Sequence, residues 1–149
     1  MRLKAFMMVA CFFAVFGSFA QAKFEQAKQQ AHEQHKLILL NFSGSDWCGP
    51  CIKLKKDFLE IPAFQQFSDS TLVFINADFP RQKKHQLSKE EQQQNDLLAE
   101  HYNAKGAFPF TVLLDENGRP LKSWEGYPKE KPEEFIDEIQ TMANAINSK

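Results

Sequence analysis

Two cysteines separated by two residues lie where an apolar run meets an amphipathic segment, and this junction constrains the fold more than any other feature of the chain. The pair, Cys48 and Cys51, stands in the sequence Trp47-Cys48-Gly49-Pro50-Cys51. The preceding run Leu37-Ile38-Leu39-Leu40 is typical of a strand that is covered on both faces of a sheet. Residues 52–59 have an amphipathic helical pattern. The sequence therefore predicts a strand, a loop ending at Cys48, and a helix that carries Cys51.

The spacing of the two cysteines suits thiol–disulfide exchange. Cys48 would lie at the helix N-terminus, where unpaired backbone N–H groups and the helix dipole favour a thiolate. Cys51, one turn later, would lie close enough to close a disulfide. Pro50 has a fixed φ and no N–H to lose, so it suits the first helical turn, while Gly49 leaves room for another sulfur. The motif therefore predicts a redox-active centre in which Cys48 attacks and Cys51 resolves.

The segment from Asn41 to Cys51 resembles the active-site segment of the thioredoxin superfamily, in its exported thioredoxin-like branch, and with Phe108-Pro109 downstream the resemblance covers roughly residues 36–126. It implies an α/β thioredoxin fold, with a central mixed β-sheet flanked by helices and, here, an extra N-terminal helix. It also implies a cis peptide bond at Pro109 beside the disulfide, with the Phe108 backbone available to pair with an extended substrate. A strand-entry proline with a trans bond is the alternative. The substrate-binding residues implied in this way are Trp47, Gly49, Pro50, Phe108 and Pro109.

Two departures from the thioredoxin pattern concern the second cysteine. Thioredoxin carries a buried acid on the strand that enters the active site, and the matching position here is Asn41, which cannot take a proton. Phe74 stands where the lysine partner of that acid would be. Release of a mixed disulfide would then depend on water or on a nearby carboxylate such as Asp46.

Periodicity predicts the elements before the middle of the chain. An amphipathic helix over 23–36 precedes a strand over 37–42, and Ile61-Pro62 interrupts the redox helix, after which 63–67 could add a turn. A second strand follows over 71–77. The polar segment 82–94 is expected to be a solvated loop and helix face, with a partner-docking insertion as the alternative.

The second half predicts a capped helix, a hairpin and a last helix. Ser88 with Glu91 suggests a capping box for a helix through about Tyr102, with Leu97, Leu98 and His101 on one face. Strands over 110–115 and 119–125 should pair antiparallel around a turn at 116–118. The last helix begins near Pro132, and its expected buried residues are Phe135, Ile136, Ile139, Met142, Ala143 and Ile146.

The first 22 residues have the composition of a signal peptide. A basic start precedes a nearly wholly apolar run from Ala5 to Phe19, and Ala20-Gln21-Ala22 has the form of a cleavage site. We expect cleavage before Lys23, which leaves a single thioredoxin-like domain over 23–149 in the periplasm. An uncleaved anchor is an alternative, although the apolar run is short for a span. A lipoprotein is another, because Met8-Val9-Ala10-Cys11 loosely resembles a lipid-attachment box.

Composition excludes some functions. The formal charge is −1 for 149 residues, and loss of the basic Arg2 and Lys4 would make it more negative, so nothing favours nucleic acid. The chain after residue 22 keeps only two cysteines, which leaves no structural disulfide framework beside the active pair.

His32 and His35 lie three apart and could ligate a metal, but a solvated helix explains them better. A hydrolase pair of Cys48 with His101 is disfavoured by the second cysteine at redox spacing.

The sequence thus predicts an exported, monomeric thiol–disulfide oxidoreductase that acts on protein disulfides or dithiols and requires no metal or organic cofactor. Gly-Pro between the cysteines resembles reducing members of the superfamily, which usually receive electrons from a membrane thiol carrier. The alternative is a thioredoxin-fold module that holds clients or Cu(I) without turnover. Trp47 is expected to be a partly exposed shield over the sulfurs, and Trp124 to pack on a strand or its edge.

Overall fold

A computed structural model describes residues 19–148, and its elements follow the predicted order. Helix α1 and strand β1 come first, and the redox helix α2 continues into one π-helical stretch before α3. Strand β2, helix α4, the β3–β4 hairpin and helix α5 complete the fold. Their bounds are α1 Phe19–Gln34, β1 Leu37–Ser43, α2 Gly49–Leu54, the π-helical stretch Lys55–Leu59, α3 Pro62–Thr71, β2 Leu72–Asp78, α4 Lys89–Tyr102, β3 Phe110–Leu114, β4 Pro120–Glu125 and α5 Pro132–Asn147.

The described strands form one mixed sheet in the order β2-β1-β3-β4. β1 and β2 are parallel, while β3 is antiparallel to both β1 and β4. The C-terminal ends of β1 and β2 therefore lie at the same edge of the sheet, where β3 begins. The cysteine loop follows β1 and the segment 79–88 follows β2, so this topology brings both connections to one end of the molecule.

Strand β1 is buried along its whole length because helices cover both faces of the sheet. Leu37 and Leu39 point into a cluster with α3 and α5, whose central side chains are Phe64, Phe135 and Ile139. Alternate residues of β1 point the other way into a cluster under α1 and α4, which includes Ile38, Leu40, Phe42, Ala31 and Leu98. The expected two-sided α/β core is confirmed.

The expected helix face is found in α4, whereas in α5 it is found only in part. In α4, Leu97, Leu98 and His101 line one groove, as expected of residues on one face, and the buried residues of the helix are Gln94, Asn95 and Leu98. The side-chain amide of Asn95 donates to the carbonyl oxygen of Asp78, and this bond turns that stripe towards the sheet. In α5, Ile146 is 37% exposed because it lies near the helix end, beyond the core cluster.

The start of the chain is described from Phe19, so residues 1–18 of the predicted signal peptide, with Cys11, lie outside the described residues. The expected cleavage point before Lys23 falls in the first turns of α1. Among the described residues, no helix combines the length and the hydropathy that a membrane span requires.

Candidate active site

Cys48 and Cys51 form a disulfide at the start of α2, with their Cα atoms 5.2 Å apart. Cys48 is the N-cap residue, and its Sγ accepts a hydrogen bond of 3.2 Å from the backbone N–H of Cys51. The same N–H can stabilise negative charge on Cys48 when the disulfide is reduced. Pro50 lies in the first helical turn, and Gly49 is exposed with open space where a side chain would be.

Trp47 is held across the loop that precedes Cys48. A Cβ atom added to Gly44 would lie 2.3 Å from Cε2 of Trp47, so only glycine leaves room for the indole. The carbonyl oxygen of Gly44 accepts from the N–H of Cys48 at 2.9 Å, and the indole Nε1 donates to the carbonyl oxygen of Phe79 at 2.7 Å. Trp47 is half-buried, which agrees with the expected partial exposure of this side chain.

The peptide bond between Phe108 and Pro109 is cis, as the resemblance implies. The Phe108 ring contacts the rings of Trp47 and Phe79 edge to face, with centroids 5.4 and 5.5 Å away. These three rings line a surface hollow of about 400 Å³. Pro109 is fully buried, and its carbonyl oxygen accepts from the N–H of Gly126. The structure therefore brings the Phe108-Pro109 segment to the cysteine loop through Trp47.

A second cavity, of about 420 Å³, lies behind Cys51, and Asn41 lines it. Asn41 is 3% exposed and bridges three strands: its Nδ2 donates to Oδ1 of Asn76 at 2.7 Å, and its Oδ1 accepts from Oγ1 of Thr111 at 2.9 Å. Phe74 also lines the cavity and is 40% exposed. The expected positions of Asn41 and Phe74 relative to Cys51 are confirmed.

The carboxylates that line this cavity are Asp78 and Glu60, and not Asp46. Asp78 accepts from Oγ of Ser43 and from the N–H and Oγ of Ser45. Glu60 pairs with Lys55 at 3.3 Å. The sequence did not single out Asp78, because its position opposite Ser43 follows only from the β1–β2 register.

Asp46 is turned away from the cavity and fixes the segment after β2. Its carboxylate accepts from the backbone N–H groups of Arg81 and Gln82, both at 2.9 Å, and lies 3.0 Å from Nδ1 of His85. The N–H of Arg81 does most to lower the pKa of Asp46; partial burial opposes it, and Gln82 and His85 add to the lowering. The suggestion that Asp46 assists Cys51 is therefore wrong, because its oxygens are already occupied elsewhere.

The other candidate residues lie apart from the cysteines. His101 packs against Tyr102 and lines a groove between α1 and α4, so it forms no pair with Cys48. His32 lies 3.0 Å from Glu116, and no cluster of three or more potential metal ligands occurs among the described His, Cys, Asp and Glu residues. Trp124 lies on the edge strand β4 and is buried against Phe135 of helix α5.

Comparison with known proteins settles the family, because the model of the thioredoxin-like family matches residues 20–116. The chain belongs to the thioredoxin-like family. Its matching segment is 38% identical over 98 residues to the disulfide bond reductase DsbH of Chlamydia pneumoniae, and 30% identical over 98 residues to the thioredoxin-related protein DsbJ of the same organism. Each alignment covers 66% of this chain, but only 57% of DsbH and 27% of DsbJ.

Solved structures agree with this assignment. A DsbH oxidoreductase structure superposes with a TM-score of 0.72 at 28% identity, over 81% of both chains. The oxidised C-terminal domain of Neisseria meningitidis DsbD superposes with a TM-score of 0.54 at 18% identity, over 80% of this chain and 92% of that domain. The latter likeness concerns the fold alone. This thioredoxin-like protein therefore has the expected thioredoxin fold with an added N-terminal helix.

Proposed function

We propose that this protein is a thiol–disulfide oxidoreductase that reduces or exchanges disulfides in exported proteins through the Cys48/Cys51 couple. The observation that carries the proposal is the hydrogen bond from the N–H of Cys51 to Sγ of Cys48. It directs a donor at the sulfur that must bear negative charge when it attacks. Catalytic roles are assigned to Cys48 and Cys51 on this basis.

Reduction proceeds in two balanced steps. The Cys48 thiolate attacks one sulfur of a client disulfide, so a mixed disulfide forms, the client S–S bond breaks, and the released client thiolate takes a proton from solvent. Cys51 then gives its proton to solvent, and its thiolate attacks Sγ of Cys48. The second client thiolate leaves and is protonated. The client has gained two electrons, and Cys48 and Cys51 are again the disulfide seen in the structure.

The substrate-binding residues are proposed from their surroundings. Gly49 and Pro50 are exposed beside the disulfide, and Trp47 and Phe108 line the neighbouring hollow. Within residues 19–148, the backbone groups of Phe108 make no hydrogen bond to another backbone group. An extended client strand can therefore pair with Phe108, while the buried Pro109 fixes the direction of that segment.

Reduction is the proposed direction, since the matching segment is similar to a protein named a disulfide bond reductase. Turnover then requires a reductant, for which we propose a membrane thiol carrier. The basic and apolar N-terminal sequence supports a signal peptide over 1–22, cleavage before Lys23 and a periplasmic domain over 23–149. We propose that this domain acts as a monomer.

An insulin-reduction assay with dithiothreitol as reductant tests the function. Wild-type protein should accelerate precipitation of the insulin B chain, and Cys48→Ser should abolish the acceleration. A module that only holds clients or Cu(I) would bind without accelerating the reaction, and this result would overturn the proposal. Equilibration of the couple with glutathione buffers would then give its redox potential and test the direction.

A further inference from the structure

The segment that follows β2 carries a local excess of positive charge. Residues 79–89 contain Arg81, Lys83, Lys84, Lys89 and His85, but no carboxylate. The whole chain has a formal charge of −1, so this excess is a local feature and not a result of overall composition.

This basic loop, defined here as residues 81–85, is fixed to the residues that precede Cys48. The backbone of the loop donates twice to the Asp46 carboxylate, and the side chain of Gln82 donates to the Asp46 carbonyl oxygen at 3.3 Å. The guanidinium carbon of Arg81 lies 3.6 Å from the centroid of the Trp47 ring. Because these bonds and this stacking join the two loops, the positive charges keep a set position beside the disulfide.

The cationic groups of the loop remain available to another molecule. Arg81, Lys83 and Lys84 are exposed, and within residues 19–148 no carboxylate oxygen lies within 4.0 Å of their charged nitrogens. His85 differs, because Asp46 lies against its ring. Asp46 thus holds the backbone of the loop while three cations face solvent.

We propose that Arg81, Lys83 and Lys84 select clients that carry carboxylates close to the disulfide to be reduced. The inference rests on the proposed function and names the substrate class of the same site. An apolar client side chain fits the hollow lined by Trp47, Phe79 and Phe108, and Arg81 lies at its rim. An adjacent acidic side chain then meets the basic loop. Such charge complementarity raises the association rate and excludes basic clients.

The test uses three peptides of equal length, each with one cysteine blocked as a 2-thiopyridyl disulfide and flanked by Glu, Gln or Lys residues. Stopped-flow release of pyridine-2-thione gives the second-order rate constant for the reduced full-length chain, in which Cys11→Ser leaves Cys48 and Cys51 as the thiols. Each rate constant is divided by that of the same peptide with dithiothreitol, which removes differences in the intrinsic reactivity of the three peptide disulfides. The test variant is Lys83→Glu/Lys84→Glu, which keeps the backbone bonds to Asp46. The control variant, Lys23→Glu/Lys129→Glu, changes the net charge equally on α1 and in the segment before α5.

Wild-type protein should reduce the Glu peptide at least about fivefold faster than the Lys peptide at low ionic strength, and this ratio should fall towards one near 0.5 M salt. Lys83→Glu/Lys84→Glu should remove or invert the preference but keep the rate with the Gln peptide. The control should keep the preference. Equal rates with all peptides in wild type, or loss of the preference only in the control, would overturn the inference.

Two further outcomes have separate meanings. No reaction with any peptide would reject the proposed function itself, whereas reaction without charge preference would reject only the inference. Wild-type sedimentation with vesicles of anionic phospholipid, combined with no client preference, would assign the basic loop to a membrane surface and would also overturn the inference.

Discussion

The indole of Trp47 donates a hydrogen bond of 2.7 Å to the carbonyl oxygen of Phe79, a residue that directly follows strand β2. This bond joins the cysteine loop to the segment after the neighbouring strand. It depends on Gly44, over which the indole lies. The position of the tryptophan beside Cys48 is therefore determined by two segments of the chain that are distant in sequence.

Gly44→Ala should displace the indole, because the new methyl group would lie 2.3 Å from a ring carbon. We expect a loss of about 1–3 kcal/mol in the free energy of unfolding, the usual cost of overpacking. Urea melts give this value, and Trp47 fluorescence in a Trp124→Phe background reports the displacement. Gly49→Ala is the matched control, because the space around that position is open. Equal melts for the two variants would contradict the expected clash.

Cys51→Ser should trap clients on Cys48, since the variant can form the mixed disulfide but cannot resolve it. Nonreducing gels of cells that express the variant should show adducts that dithiothreitol removes. The variant that lacks both cysteines is the control and should give none. Absence of such adducts from Cys51→Ser would count against catalytic exchange.

The Cys48 thiol of the reduced protein should titrate below about 8.5, the value of an unperturbed cysteine, because the N–H of Cys51 and the helix terminus favour the thiolate. The rate of iodoacetamide alkylation against pH measures this titration. Cys11→Ser/Cys51→Ser leaves Cys48 as the reacting thiol and keeps the backbone N–H of residue 51. A midpoint at or above 8.5 would show that the donor has no effect on the sulfur.

Asp46→Asn should loosen the basic loop, because an amide cannot accept from both Arg81 and Gln82 as the carboxylate does. Hydrogen exchange at these two backbone N–H groups should become faster. In wild type the pKa of Asp46 is lowered, so its contribution to stability is present above the unfolded pKa near 3.8 and is lost as the pH falls through the folded value. Exchange at these two positions in acid, faster than at other amides, would show that protonation of Asp46 releases them. The control is Asp57→Asn, which alters a hydrogen bond to Tyr127 instead.

Asn41→Asp should supply a proton acceptor behind Cys51 and so speed resolution of the mixed disulfide near neutral pH. Burial raises the pKa of a carboxyl group in such a site. The same change puts a carboxylate oxygen against Oδ1 of Asn76, and we expect a loss of about 1–3 kcal/mol of stability. Stopped-flow measurement of resolution and urea melts test both effects. Thr111→Val, which breaks the network without adding an acid, should lower stability but leave resolution unaccelerated.

Local patterns in the sequence predict most of the fold. The buried strand β1 follows from its unbroken apolar run, the α4 start from the Ser88 side chain that accepts from the N–H of Glu91, and the end of the redox helix from Pro62. The π-helical stretch Lys55–Leu59 has no comparable local signal. The N–H of Glu60 donates to the Lys55 carbonyl oxygen, and the stretch buries Phe58 and Leu59 in the core.

The surroundings of the cysteines were harder to predict than the cysteines. Trp47, Cys48 and Cys51 are recognised from their spacing, whereas the direction of Asp46 depends on bonds to residues 35 and 36 positions later. A single sequence does not specify which of two nearby carboxylates turns towards Cys51. Strand pairing decides it, because Asp78 lies opposite Ser43 at the end of the parallel pair.

The bridge that Asn41 makes across the sheet also fixes strand alignment. Asn41 lies opposite Asn76 in the pairing of β1 with β2 and opposite Thr111 in the pairing of β1 with β3, and it is hydrogen-bonded to both side chains. If β1 slipped by one residue, the Asn41 side chain would point into the apolar cluster under α1 and α4. Asn76 and Thr111 would then both lose their hydrogen bond to Asn41. Buried asparagines set alignment in coiled coils in the same way. Where thioredoxin keeps an acid for proton transfer, this chain keeps an amide that makes misaligned strands costly.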